Sequence, residues 1–162
     1  MKERFCYNSP IGVLEVTIRD DFITEVKFVG DSHQNFGTEQ GKNNPQNPTF
    51  CEFARQAEEY FSGKRKSFEL KLEPEGTDFQ KRVWAELLKI PYGAVKSYRE
   101  IARNIGSPNA QRAVGAACNK NPILILIPCH RVVGKNGDLT GFACGIGVKR
   151  KLLMLENCKE II

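Results

Sequence analysis

The chain has 162 residues, a length that fits one domain or two small ones and allows roughly 70% of the unfolded chain's surface to be buried on folding. Hydrophobic residues make up 41% and charged residues 27%, a globular composition that excludes a disordered, collagen-like or coiled-coil chain. The longest apolar run, at 123–127, is far shorter than the ~20 residues of a membrane helix. Residues 1–4 do not begin a signal peptide, so we expect a cytoplasmic protein.

The net charge of +5 is concentrated in the second half of the chain. Residues 1–76 carry 10 Lys and Arg against 13 Asp and Glu, a net −3, whereas residues 77–162 carry 14 against 6, a net +8. This asymmetry favours a polyanionic partner for the second half, although an ordinary solvated surface is the more frequent reason for such an excess.

The six cysteines are spread over the chain without any Cys-x-x-Cys pair. They accompany only two histidines, His33 and His130, so no patterned zinc site can be written. Without a secretory signal, reduced thiols are the better interpretation. We therefore expect neither a disulfide framework nor a bound metal.

The first half of the chain predicts a small α/β unit. Apolar and polar residues alternate near its start, and Asp20 and Asp21 supply a turn between two alternating runs. Aromatic and apolar residues then recur at helical spacing and stop at Gly63. The predicted elements are strands over 5–29, a polar exposed loop over 30–48, a helix over 50–61 and one more strand over 68–72.

Capping boxes predict the first two helices of the second half. Thr77-x-x-Gln80 precedes apolar residues on one helical face that ends near 90–93, and Ser97-x-x-Glu100 starts a short helix. The spacing of apolar residues thus changes here to mainly helical, which predicts a domain boundary between residues 76 and 77.

The segment after the short helix is interpreted as the second part of a helix-turn-helix. Gly106 ends the short helix, and Ser107 caps another that has Pro108 at its first position and runs to about Lys120. The pattern is typical of DNA-binding proteins, although many helical hairpins that bind nothing have the same signature.

The last of these helices has two different faces. Arg112 is the long cation of its outer face, where small neighbours would allow a nucleic-acid backbone or groove to approach closely. A solvated surface arginine is the alternative. The predicted core face consists of Ala110, Ala113, Val114 and Ala117, and the outer face of Asn109, Arg112, Gly115, Ala116 and Asn119.

A thiol follows the most apolar segment of the chain. The run 123–127 predicts a buried strand that leads into Pro128, Cys129, His130 and Arg131. A cysteine is nucleophilic as the thiolate, which a neighbouring cation or histidine favours. Because neighbouring side chains of a strand point to opposite faces, a catalytic pair needs a turn here or a linking water. The alternative is a buried, inert cysteine.

These residues resemble the O6-alkylguanine-DNA alkyltransferase family. The sequence Ile127-Pro-Cys-His-Arg-Val132 matches the family's acceptor-cysteine signature, and the likeness extends from about Phe79 to Glu156 through Arg112-Ala-Val-Gly115 and Asn121-Pro122. The resemblance implies an α/β fold class: a ribonuclease-H-like N-terminal domain at 1–76 and a mainly helical, DNA-binding and alkyl-accepting domain at 77–162.

The resemblance also implies a suicide reaction that needs no cofactor. Cys129 would take the alkyl group of guanine O6 irreversibly, and His130 would deprotonate it through a water while Glu156 orients the imidazole. Tyr98 would donate a hydrogen bond to the base, and Asn121 would tie the DNA-binding helix to the active-site strand. The basic residues Lys149, Arg150 and Lys151 before Glu156 are expected to form a solvated face.

The implied partner is double-stranded DNA carrying O6-alkylguanine, bound by a monomer in the minor groove without sequence preference and with no membrane contact. Arg112 would fill the space left by a flipped nucleotide. Phe142, Ala143 and Cys144 depart from the Tyr, Ser and Gly frequent in the family. The implied DNA contacts are Ser97, Arg99, Arg112, Ala113, Gly115 and Ala116, and the implied base pocket is lined by Val132, Phe142, Ala143 and Cys144.

Two other functions are compatible with parts of this pattern. An alkyltransferase-like lesion sensor binds alkylated DNA without repairing it, but such proteins lack the acceptor cysteine that this chain has as Cys129. A helix-turn-helix regulator with a redox-active thiol would give no reason for Glu156 or Tyr98.

Overall fold

Three antiparallel strands form the N-terminal sheet of the computed structural model, which describes residues 2–30, 46–139 and 145–156. They are β1 (Lys2–Ser9), β2 (Gly12–Arg19) and β3 (Phe22–Gly30), in the order β1-β2-β3. The apolar residues Leu14, Val16 and Ile18 of β2 are buried on one face of the strand, as the alternation predicts, and Val13 and Thr17 on the other face are buried too. The predicted strands of 5–29 are therefore confirmed.

Helix α1 (Pro48–Phe61) packs on this sheet. Asn47 caps it by accepting a hydrogen bond from the backbone N–H of Phe50 at 3.0 Å, and Pro48 occupies the first position, where a missing N–H costs least. Phe50 stacks on Phe5 of β1 with ring centroids 4.7 Å apart. The predicted helix is thus confirmed, and most of the predicted loop before it lies outside the described residues.

The predicted strand over 68–72 is wrong for most of its length. Only Leu72 pairs with the sheet, through an isolated parallel bridge to Ile23 of β3. Glu69 is instead held by the buried Gln56 of α1, whose side chain bonds to both the N–H and the carbonyl of residue 69, at 2.8 and 3.2 Å. A side chain thus satisfies the backbone groups that a sheet would otherwise pair.

The chain divides into two compact units. Unit 1 consists of Met1–Pro74 with Pro122–Leu124, and unit 2 of Glu75–Asn121 with Ile125–Ile162. Within unit 1, the short segment 122–124 runs along β3, where the Val26 N–H donates to the Pro122 carbonyl and the Leu124 N–H to the Val26 carbonyl, both at 2.9 Å.

Unit 2 is mainly helical. Its helices are α2 (Asp78–Leu87), α3 (Tyr98–Asn104), α4 (Gln111–Asn119) and α5 (Ile146–Leu155), and two-residue strands β4 (Lys96–Ser97) and β5 (Val132–Val133) pair in parallel. The predicted capping box of α2 is complete, with reciprocal hydrogen bonds of 3.0 and 3.1 Å between Thr77 and Gln80. Ser97 caps α3 as predicted by accepting from the Glu100 N–H at 3.1 Å.

Helix α4 begins later than the sequence suggests. It starts at Gln111 after Ala110, with no side-chain cap, whereas Ser107 was expected to cap it. The Ala110 N–H donates to the Ser107 carbonyl at 2.9 Å, so residues 107–110 form a separate turn between α3 and α4. Since α4 buries Val114, Ala117 and Cys118, Ala113 is exposed and was wrongly assigned to the core face.

The apolar run 123–127 is a buried turn, contrary to the predicted strand. Only Ile123 bridges to a strand, and residues 124–126 turn. Ile125 has a φ of +72°, a left-handed conformation that is unfavourable for a β-branched residue and breaks any extended run. The Asn121 side chain closes the turn by donating to the Ile127 carbonyl at 2.8 Å. Buried on all sides, the run has no periodicity that could distinguish turn from strand.

Replacing Trp84 by Phe is expected to destabilise the protein by about 1–3 kcal/mol. Trp84 is 1% exposed in α2, and its indole N–H donates to the Ala117 carbonyl of α4 at 2.9 Å, so the change removes a hydrogen bond and leaves a void. Leu88, exposed at the end of the same helix, is the matched site, and Leu88→Ala should change stability by less than about 0.5 kcal/mol. Urea unfolding measures both, and equal losses would contradict this assignment.

No helix among the described residues is both long and apolar enough to span a membrane.

Candidate active site

Cys129 lies on a tight turn. Residues Cys129–Arg131 form one turn of 3-10 helix after Pro128, here called the Cys129 turn. The Cys129 N–H donates to the Ile127 carbonyl at 2.8 Å and the Arg131 N–H to the Pro128 carbonyl at 3.0 Å. This is the turn that a Cys-His pair requires, because it removes the opposite-face alternation of a strand. All three side chains of the turn are buried.

The His130 imidazole pairs with Glu156, the residue that follows α5. Its Nε2 lies 2.8 Å from Oε2 of Glu156, and both side chains are 0% exposed. Glu156 also accepts two hydrogen bonds from the Arg131 guanidinium, from Nε at 2.8 Å and from Nη2 at 3.0 Å. The predicted His130–Glu156 contact is present, with a third partner that sequence reasoning did not include.

The protonation of this pair follows from burial and hydrogen bonding. Burial raises the pKa of the Glu156 carboxyl, but the hydrogen bonds from His130 and Arg131 outweigh it and lower the pKa to about 2. Burial lowers the pKa of His130, and the charges of Arg131 and Lys149 act in the same direction against Glu156. At neutral pH the Glu156 side chain is therefore an ionised carboxylate and the His130 imidazole beside it is neutral.

These protonation states determine which nitrogen of the His130 imidazole carries the hydrogen. An ionised carboxylate only accepts hydrogen bonds, so Nε2 must carry the hydrogen and Nδ1 must hold the free lone pair. Nδ1 of His130 is buried and has no hydrogen-bond partner among the described protein residues. It is the atom through which His130 can act as a base.

Lys149 is buried, contrary to the solvated face predicted for it. Its side chain is 0% exposed, and its ammonium donates to the Val132 carbonyl at 2.5 Å and lies 5.9 Å from the ring centroid of Tyr98. Burial lowers its pKa. The spacing shows why: Lys149 shares one helical face with Leu152, Leu153 and Glu156, whereas Arg150 and Lys151 are exposed.

Tyr98 is half-buried at the first position of α3. Burial raises the pKa of its phenol strongly, and the nearby Cys118 and Cys129 thiols raise it further. The phenol therefore keeps its proton at neutral pH and can donate a hydrogen bond. The Cys118 thiol is also buried, and burial together with Cys129 raises its pKa to about 12, so it stays protonated.

Asn121 connects α4 to the segment that leads to Cys129. Its side chain donates to the Ile127 carbonyl at 2.8 Å, and its backbone N–H donates to the Cys118 carbonyl of α4 at 3.2 Å. The asparagine thus joins the helix end to the residue two positions before Cys129. The segment it holds is a turn where a strand was expected.

The outer surface of α4 carries Arg112, Ala113 and Ala116, all exposed. Gly115 is half-buried, and a β-carbon built on it would lie 3.9 Å from the Tyr98 ring. Gly115 therefore lies at the edge of the outer face, next to the Tyr98 ring.

A cavity of about 250 Å³ opens beside Tyr98, between α3, α4 and the segment after β5. It contains two cations, of which Arg99 was predicted as a DNA contact and Lys135 was not. Only the fold brings residues 134–135 here, through the parallel pairing of β5 with β4. The lining residues are Ser97, Tyr98, Arg99, Gln111, Gly134 and Lys135.

Of the predicted base-pocket residues, Val132 is described and is fully buried in β5. Phe142, Ala143 and Cys144 lie outside the described residues. Within the part of the chain that is described, no group of three or more His, Cys, Asp or Glu side chains could hold a metal ion.

Two family models match the chain. Residues 78–158 match the DNA-binding domain of 6-O-methylguanine DNA methyltransferase, and residues 4–74 match its ribonuclease-like domain. These matches agree with the predicted α/β N-terminal domain and mainly helical C-terminal domain.

Individual relatives are named methylated-DNA–protein-cysteine methyltransferases. A methylated-DNA–protein-cysteine methyltransferase of Methanosarcina barkeri is 63% identical over 67% of this chain and 68% of its own length. One of Mycobacterium tuberculosis is 43% identical over 94% of this chain and 90% of its own. Crystal structures of the M. tuberculosis O6-methylguanine methyltransferase superpose with a TM-score of 0.83 at 42% identity, covering 97% of this chain and 93% of the other. One of them, titled as in complex with DNA, has the same score over 96% and 92%.

With a cysteine beside a buried His-Glu pair, two matching family models, and 43% identity over 94% of its length to the M. tuberculosis relative, the chain belongs to the 6-O-methylguanine DNA methyltransferase family, that of the methylated-DNA–protein-cysteine methyltransferases.

Proposed function

We propose that this protein repairs O6-alkylguanine in DNA by transferring the alkyl group irreversibly to Cys129, once per molecule. The observation that carries the proposal is the buried pair formed by Glu156 and His130 of the Cys129 turn. In this pair Nδ1 of His130 is the atom that can act as the base. Residues 77–162 form the domain that binds DNA and accepts the alkyl group.

The transfer is a single displacement at carbon. The Cys129 proton passes to Nδ1 of His130 through a water, and the sulfur attacks the alkyl carbon. The new C–S bond forms as the C–O6 bond breaks, and guanine leaves with the electron pair of that bond. The protonated Tyr98 phenol donates to a ring nitrogen of guanine and stabilises it as it departs. A thioether has no route back to the thiol, so the protein is consumed.

DNA binding is assigned to α3 and α4 acting as a helix-turn-helix in the minor groove. The exposed, small Ala113 and Ala116 allow close approach, and Arg112 occupies the space of the flipped nucleotide. Minor-groove contacts distinguish few sequences, which suits a repair protein. Asn121 holds α4 to the Cys129 segment, and the protein acts as a monomer. The remaining contacts are Ser97, Arg99 and Gly115 with the DNA, and Val132, Phe142, Ala143 and Cys144 with the base.

Stoichiometry tests this function. Duplex DNA with one O6-methylguanine is incubated with the wild-type protein in ratios from sub-stoichiometric to excess, and both products are followed by mass spectrometry. We expect one guanine restored and one methyl group gained per protein molecule, with no second turnover. Binding of the lesion without transfer, or several turnovers per molecule, would contradict the proposal.

A further inference from the structure

Arg131 is a buried cation whose hydrogen-bond donors are held by two partners in unit 2, Glu156 and the Ile90 carbonyl. Its guanidinium bonds to both oxygens of Glu156 from one side, while His130 bonds to Oε2. Its remaining Nη1 donates to the Ile90 carbonyl at 2.7 Å, and the guanidinium lies 6.0 Å from the ring centroid of Tyr92. Such a two-point pair orients a carboxylate far more strictly than a single contact does.

The Glu156 carboxylate therefore lies between two hydrogen-bond donors, His130 and Arg131. The hydroxyl of Tyr92 donates to the Leu155 carbonyl at 3.1 Å, so the ring that faces Arg131 also holds the residue before Glu156. With Arg131 in place, the buried carboxylate already has a full positive charge beside it. The imidazole of His130 is then not required to become a cation to neutralise it.

We propose that Arg131 is a positioning residue of the transfer reaction, which orients Glu156 and offsets its charge so that His130 stays neutral with the lone pair of Nδ1 available. This inference rests on the proposed function. An imidazolium has hydrogens on both nitrogens and cannot accept the Cys129 proton. Arg131 thus adds to the effect of burial in keeping His130 a base, in addition to its part in the fold of the turn.

The charges around the imidazole make the sign of this effect definite. The charged groups acting on His130 are Glu156 and Lys149 from α5 and Arg131 from its own turn. Helix α2 also packs against the turn, and its buried residues are the apolar Val83, Trp84 and Leu87. Removing Arg131 takes away a cation that opposes the charge of Glu156, so the pKa of His130 should rise. Removing the Glu156 charge must lower it.

The first test is an NMR titration of His130 in the DNA-free protein, with His33 identified by its loss in His33→Gln. In the wild type the midpoint should lie below the ~6.5 of a free histidine. Arg131→Met should raise it by about one pH unit or more, Arg131→Lys by less, and Glu156→Gln should lower it. Arg150→Met, which removes an exposed cation of α5, should leave it unchanged.

The second test is the pH dependence of single-turnover methyl transfer at saturating duplex DNA. The acidic limb should move up in pH by the same amount in Arg131→Met, with Arg131→Lys intermediate and Arg150→Met like the wild type. A rate that falls equally at every pH, with an unmoved His130 midpoint, would overturn the inference and leave Arg131 a purely structural role. A wild-type midpoint at or above that of a free histidine would overturn it even if Arg131→Met does not fold. Absence of transfer in the wild type would refute the proposed function instead, since the titration needs no reaction.

Discussion

Cys129→Ser is expected to abolish methyl transfer from O6-methylguanine DNA completely, while the protein stays folded and binds the DNA. The serine hydroxyl is nearly isosteric with the thiol but is a much weaker nucleophile, because His130 would have to remove a far less acidic proton. Intact mass should show no added methyl group after prolonged incubation. Peptide mapping of the wild type should place one methyl group on Cys129.

Cys118→Ala is the matched control for this loss. Cys118 is also buried in unit 2, but burial and the neighbouring Cys129 raise its pKa to about 12, so it is expected to stay a thiol. We expect this variant to accept one methyl group at a rate within a few-fold of the wild type. Methylation that persists in Cys129→Ser, or that maps to Cys118 or Cys144, would refute the assignment of the acceptor.

Local signals predicted the elements whose stability is itself local. The capping box at Thr77 and Gln80 places the start of α2 within one residue, because its hydrogen bonds join positions three apart. The alternation in β2 likewise predicted that Leu14, Val16 and Ile18 are buried, although Val13 and Thr17 on the other face of the strand are buried as well. The hydrogen bonds of the capping box join residues three positions apart, and the alternation of β2 can be seen within the strand itself.

The failures occurred where distant contacts determine the structure. The run 123–127 is apolar at every position, so its pattern cannot distinguish a turn from a strand. The left-handed Ile125 and the hydrogen bond from the Asn121 side chain to the Ile127 carbonyl make it a turn. Lys149 was assigned to solvent by its charge, although its spacing relative to Leu152 and Leu153 places it on the buried face. Charge is a weak guide to burial when the fold supplies a carbonyl such as that of Val132.

In the candidate site, too, local sequence predicted some features and missed those that depend on distant residues. Adjacency in the sequence pointed to Cys129 and His130, and the family resemblance added Glu156. The sequence could not predict the tautomer of the His130 imidazole, because the tautomer depends on a carboxylate 26 residues away that Arg131 also holds. No local pattern encodes that three-way contact, and it determines which nitrogen can take the proton.

The second large effect is expected at Arg112, and it should depend on the substrate. If Arg112 replaces the flipped nucleotide in the stack, its role exists only with duplex DNA, because a free base has no stack to leave. Arg112→Ala should slow transfer from O6-methylguanine in duplex DNA by about 30- to 150-fold, the equivalent of about 2–3 kcal/mol of unstacking. The same variant should react almost normally with free O6-benzylguanine. Single-turnover rates on both substrates, at saturating DNA, measure the difference.

Lys120→Ala separates stacking from simple charge. Lys120 is an exposed cation at the end of the same helix, so its loss should weaken DNA binding slightly and make the salt dependence shallower, with near-normal repair at saturating DNA. If Arg112→Ala behaves in that way too, Arg112 contacts phosphate and does not fill the stack. If Arg112→Ala loses equal rate on the duplex and on the free base, the arginine supports the fold or the thiolate, and the flipping role must be withdrawn. Only a loss confined to the duplex at saturation identifies a residue that holds the place of the flipped base.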